Sequence, residues 1–299
     1  MIVPRGLLAL VPAALLLPAA QATPLVYREE SATATAAAPT TTVIHDWAAG
    51  WATGFPVHSS CNATLRTQLQ QGLDEAITMA AHARDHLLRW GEDSPFVQKY
   101  FGKNSTAEAI GWYERIVAAD KTGIWFRCDD PDQNCATQAG YGGHWRGSNA
   151  TKETVICPLS FSTRRFLNSM CNLGYTVAGS PLNTFWATDL IHRFLHLPPI
   201  AEDVVGHAAE GYNDVLEVAK TSPTESVRDI HALQYFAADV YAYDIAAPGV
   251  GCTGEAAEEE EQTATSTTTA TPSATSAAAK VRREPDTHSS SRNKYNVRS

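Results

Sequence analysis

What this 299-residue chain lacks narrows its function before any motif is read. No apolar run reaches the roughly 20 residues that a membrane-spanning helix needs. The longest, Leu7 to Ala20, is interrupted by Pro12 and Pro18. The last residues, Arg292 to Ser299, are polar, so the hydrophobic tail of a lipid-anchor signal is missing too. There is no basic cluster to neutralise phosphates, and 23 Lys and Arg against 32 Asp and Glu leave a formal charge of −9. That balance argues against nucleic acid as a partner. Nor is there a Cys-x-x-Cys pair, which argues against a zinc site built on cysteines.

What is present at the start is a secretory signal over residues 1–22. Arg5 gives the positive region, the Leu7–Ala20 stretch the apolar one, and Ala20-Gln21-Ala22 a small-residue cleavage site. The mature protein is expected to be secreted, extracellular or associated with the cell wall. In that oxidising setting the even set Cys61, Cys128, Cys135, Cys157, Cys171 and Cys252 favours three disulfides, whose pairing spacing alone does not choose. The sequons at Asn62, Asn104 and Asn149 agree with secretion and lie in polar stretches expected to be exposed.

Composition divides the rest. Residues 23–43 are an Ala/Thr-rich leader, and 253–299 an acidic, Ser/Thr-rich tail whose composition cannot bury a core. Within that tail, Arg282-Arg283 reads either as a dibasic processing site or as two ordinary charges. Between them, 44–252 is long enough for one domain with a real core. Helical periodicity predicts a long helix over 63–90, with Leu65, Leu69, Leu73, Ile77 and Leu88 on one stripe. Short strands are expected at 123–128 and 153–157. Further helices are expected near 184–197, 201–220 and 224–246, the first stopped by Pro198-Pro199. The fold class is α+β, mainly helical, with a small sheet.

The residues that carry chemistry are His192-Arg193-Phe194-Leu195-His196. Histidines four apart on a helix project from one face and can reach one zinc ion. Metallopeptidases use this spacing as His-Glu-x-x-His, with the Glu as general base. Here Arg193 holds the Glu position, and a guanidinium has no acceptor with which to take a proton. Beside a dication it must turn away or pair with a carboxylate, and Glu202, Asp203 and Glu210 are the candidates. The apolar neighbours Trp186, Leu190, Ile191, Phe194 and Leu195 mark the helix as buried, where a histidine pair needs partners. Zinc is one answer; backbone carbonyls or carboxylates are the other.

For a third ligand the following stretch offers His207, Asp203, Glu210 and Asp214, of which His207 is the only imidazole. His231 reads as a core residue or a support behind the ligands. A second i, i+4 pair, His82 and His86, falls off the apolar stripe of its helix and reads as a solvated face. His45, His58, His144 and His288 read as ordinary surface histidines.

Taken together, residues 60–252 resemble the fungal HRxxH peptidase-like family, which includes secreted zinc-regulated surface antigens and a major mould allergen. That family is a distant relative of the deuterolysin (aspzincin) metallopeptidases. Besides the histidine helix, the resemblance rests on Cys128-Asp129-Asp130-Pro131-Asp132-Gln133-Asn134-Cys135, Ile156-Cys157-Pro158, Cys171 and Ala232-Leu233-Gln234-Tyr235-Phe236-Ala237. It implies a zincin-like domain, the pairings Cys61–Cys128, Cys135–Cys157 and Cys171–Cys252, and His207 where deuterolysins place a ligating Asp. The chain departs from the pattern at Arg193 and in its tail, which is acidic rather than rich in Cys and His. The implied function is a secreted zinc-binding protein on a degenerate peptidase scaffold, capturing zinc outside the cell, with zinc as cofactor and cell-wall or host surface proteins as further partners. Two alternatives stay open. One is an active zinc endopeptidase with Glu202 or Glu210 as a relocated base. The other is a metal-free surface antigen or adhesion module.

Overall fold

The computed structural model describes residues 46 and 48–256. The signal, the leader, His45, His288, the Glu258–Glu261 run and Arg282-Arg283 lie outside them.

Helix α1 (Ala63–Trp90) is capped by Asn62, whose side chain accepts from the Leu65 amide. Its buried stripe runs through Leu69, Leu73, Ala76, Ala80, Ala83 and Leu87. The expectation for Leu88 was wrong by one position: Leu88 is 63% exposed and Leu87 faces the core. Helices α2 (Pro95–Phe101) and α3 (Ala107–Ala118) follow, neither anticipated from periodicity. Then come β1 (Trp125–Arg127), the single turn α4 (Asn134–Thr137), β2 (Gly143–Trp145), β3 (Glu153–Ile156) and α5 (Pro158–Thr163). The sheet order is β1-β3-β2, with β1 parallel and β2 antiparallel to the central strand. β2 was not foreseen.

The C-terminal half contains α6 (Trp186–Leu195), α7 (Pro198–Ala201), α8 (Tyr212–Thr221), α9 (Pro223–Ser226) and α10 (Ile230–Tyr241), which runs into a π-helical turn at Ala242–Ala246. The helix expected over 201–220 begins only at Tyr212, because Glu202 and Asp203 adopt left-handed backbone and start a loop. Likewise the last helix starts at Ile230 rather than 224. Asp229 caps it, accepting from the Ala232 amide.

Helix α10 is buried on every side from Ile230 to Val240 and forms the centre of the core. Helix α6 packs close to α1 because Gly72 leaves room for Trp186: a Cβ there would sit 2.9 Å from the Trp186 Cβ. Phe194 joins α6 to the sheet, stacked on Phe55 at 3.8 Å and edge-on to Phe126 at 5.6 Å. Such aromatic pairs add to the burial they bring. Lys121 is fully buried over the Phe55 ring and closes the end of α3, donating to the carbonyls of Val117 and Ala119 at 3.2 and 2.9 Å.

Three disulfides staple the domain: Cys61–Cys128, Cys135–Cys157 and Cys171–Cys252. The chain stays packed just past the last of them, with Thr253 donating to Asp239 at 2.6 Å and its carbonyl accepting from Ala178. Among the described residues no helix is long and apolar enough to cross a membrane.

Candidate metal centre

His192 and His196 sit on the last turn and at the C-cap of α6, the spacing that places them on one face. Their Nε2 atoms are 3.0 Å apart, and the His207 Nε2 lies 3.3 Å from that of His196. All three side chains are partly solvent-exposed, unlike the rest of α6.

His192 is oriented from behind, and the loop that carries His207 is anchored. The Gln234 amide donates to the Thr188 carbonyl at 2.9 Å, so its Oε1 faces His192 Nδ1 at 3.1 Å. His192 Nδ1 therefore carries the proton, and Nε2 turns its lone pair toward the cluster. His207 lies in the loop between α7 and α8, held by Asp229 of the α10 cap. One Asp229 oxygen accepts from the amides of Ala208 and Ala209 at 2.8 and 3.1 Å. The same loop pairs with the chain before α10, Gly206 donating to Arg228 and accepting from Ile230. His231 Nδ1 donates to the Ala209 carbonyl at 2.6 Å, and its ring centroid is 5.0 Å from that of His207. Gln234 and Asp229 were not singled out from sequence. The only local signal was for Asp229, an Asp just before an apolar helix.

Arg193 contradicts the expected pairing with Glu202, Asp203 or Glu210. It folds back one helical turn, donating from Nε and Nη2 to the two Asp189 oxygens at 3.0 and 3.1 Å. Its guanidinium lies against β2, where a Cβ on Gly143 would be 2.8 Å from Nη1 and 2.2 Å from the Val155 carbonyl. Burial pushes the Asp189 carboxyl up, but the charges of Arg164 and Arg193 outweigh it and hold its pKa below the usual range. Glu202 is engaged elsewhere, ion-paired with Arg115 of α3. Glu210 is exposed.

Two other histidine expectations also fail. His82 and His86 are not a solvated face: both reach one Asp244 oxygen at 2.9 Å, and His86 is buried against Phe96 and Phe236. The π-helical turn after α10 supplies that carboxylate, a partner that the α1 sequence cannot reveal. His144 is not a surface residue either, being 6% exposed on β2. Of the sequons, Asn62 and Asn149 are exposed, whereas Asn104 is half-buried and donates to the Pro223 carbonyl at 3.2 Å.

Fold and site together define a disulfide-stapled, mainly helical α+β domain with a three-histidine cluster of metal-ligand spacing. The chain belongs to the HRXXH family, whose model ("Putative peptidase family") matches residues 9–255. It is 57% identical over 220 residues to the major allergen Asp f 2 of Aspergillus fumigatus, covering 74% of this chain and 71% of the relative. It is 51% identical over 212 residues to the pH-regulated antigen PRA1 of Candida albicans, covering 71% of each. A zinc peptidase from Grifola frondosa aligns with 60% of this chain and 97% of its own at a TM-score of 0.45 and 14% identity, a likeness too slight to carry an argument.

Proposed function

We propose that this protein binds zinc through His192, His196 and His207 and captures it outside the cell without hydrolysing peptides. The observation that carries this reading is the convergence of the three Nε2 atoms, at 3.0 and 3.3 Å between neighbours. Ligands about 2.0–2.1 Å from a tetrahedral zinc stand about 3.3 Å from each other, close to both of these separations. The Gln234 and Asp229 contacts support it, since ligating imidazoles are ordinarily fixed by a partner on the far nitrogen or by the backbone that carries them. Zinc bound there would act as a Lewis acid toward its remaining ligands.

The capture reading rests on what this chain puts at the position of the base. Arg193 has no acceptor and is committed to Asp189, and Glu202 is tied to Arg115. A secreted role is favoured by the three disulfides and by the relatives' names, an allergen and an antigen. Titration calorimetry with zinc on the intact protein and on the His192→Ala/His196→Ala variant tests the ligand set. One strong site is expected in the first and none in the second; equal binding would overturn the proposal. Chelator-sensitive peptide cleavage by the wild type would overturn its non-catalytic half.

A further inference from the structure

We infer that Cys135, Cys157 and His144 form a second, redox-gated site for a soft metal ion of the zinc class, closed as a disulfide and opened by reduction. The two sulfurs and a ring nitrogen of His144 lie within 4.8 Å of one another. His144 is 6% exposed, and its Nδ1 is buried without a hydrogen-bond partner. A buried polar atom left unsatisfied in a packed interior is costly and calls for an explanation. The other ring nitrogen, Nε2, is 3.3 Å from Asp132 Oδ2. That is the arrangement in which a carboxylate fixes the tautomer of a ligating histidine, leaving the lone pair on Nδ1. Asp132 is itself anchored by Arg146 at 2.7 and 3.1 Å. Asp130 Oδ1 is likewise buried without a partner, and the imidazole feels the charge of Asp130 against that of Arg193.

The topology makes the opening local. Cys157 follows β3 and is 1% exposed, so it stays in the core, and His144 pairs with Val155 on the neighbouring strand. Cys135 lies in the one-turn helix α4, partly exposed, where an external thiol can attack it. This bridge also spans 22 residues, against 67 and 81 for the other two, so its loss frees the shortest loop.

The step balances with a dithiol as reductant. Its thiolate attacks Cys135 Sγ, the Cys135–Cys157 bond breaks, and Cys157 leaves as thiolate. The second reductant thiol then resolves the mixed disulfide, so two electrons pass to the protein and the dithiol becomes a disulfide. The metal displaces the remaining thiol protons and takes two thiolates and Nδ1, a donor set suited to zinc-class ions.

The test uses the full chain in a His192→Ala/His196→Ala background, so that failure here is distinguishable from failure of the first site. Cobalt(II) is the probe, read by thiolate-to-cobalt charge-transfer absorption after mild dithiol treatment, with far-ultraviolet circular dichroism to follow folding. One cobalt per chain with that band is expected after reduction and none before it. The band is expected to be lost in His144→Ala and in Cys135→Ser/Cys157→Ser, and affinity to fall about 10–100-fold in Asp132→Asn. No band in the reduced protein would overturn the proposal. So would a band of equal strength in His144→Ala, or one that persists in the double cysteine variant, since the ligands would then lie elsewhere.

Discussion

Arg193 and Asp189 form a two-point ion pair one helical turn apart, with Nε and Nη2 at 3.0 and 3.1 Å from the two carboxylate oxygens. The pair is almost wholly buried, and Arg164 adds a third contact at 3.4 Å. Arginine at the base position is thus built into the helix, with Gly143 making room for it on the sheet. Placing a carboxylate there is expected to break the helix packing without giving peptidase activity. Arg193→Glu would set a second acid beside Asp189 in a buried site, and losing one partner of such a pair costs about 3–5 kcal/mol. Chemical denaturation should show that loss, with no gain of chelator-sensitive peptidase activity.

Gln234 should control metal affinity without touching the metal. Gln234→Ala removes the acceptor that holds the His192 tautomer. Zinc affinity by calorimetry is expected to fall about 10–100-fold, as for other supports behind a ligand. An unchanged affinity would mean that His192 is not oriented through this amide.

Asp229 ties the His207 loop to α10 through three backbone amides, those of Ala208, Ala209 and Ala232. Asp229→Ala leaves those donors unpaired, two of them buried, and removes a helix cap, at a cost of about 1–3 kcal/mol. Stability and zinc affinity are expected to drop together, whereas a loss confined to stability would show that the loop does not depend on this anchor.

Lys121 gives a pH signature. Burial lowers its pKa to about 8 from the ordinary 10.5. Between those values the unfolded chain binds the extra proton, so stability should rise with pH. Tyr100 and Tyr113 are shifted well up by burial, so their opposing loss of stability begins only near the ordinary tyrosine value of 10. From pH 8 to 10 the lysine should therefore contribute about 2 kcal/mol of increasing stability. Urea titrations should show this rise in the wild type and not in Lys121→Met.

Local patterns were legible where short-range physics decides. The long helix α1 and the histidine helix α6 follow from apolar spacing, and the edge strand β1 and the central strand β3 from β-branched and aromatic runs. β2 was invisible because Gly143, His144 and Trp145 carry no strand pattern of their own and are held by register with β3. The loop at 202–211 escaped because its acidic and alanine residues read as helical. Left-handed backbone at Glu202 and Asp203, with the Asp229 anchor, decides otherwise.

The same division runs through the site. Spacing alone set His192 and His196 on one face, and Arg193 alone put a group without an acceptor at the Glu position of the peptidase pattern, because both are properties of one helix turn. Where Arg193 points, which loop histidine joins the pair, and which histidines are buried beside an aspartate depend on chain segments up to 162 residues apart, as for His82 and Asp244. Such contacts form only when the core closes, since burial in a low dielectric favours arrangements in which charges and polar ring atoms meet partners across the fold.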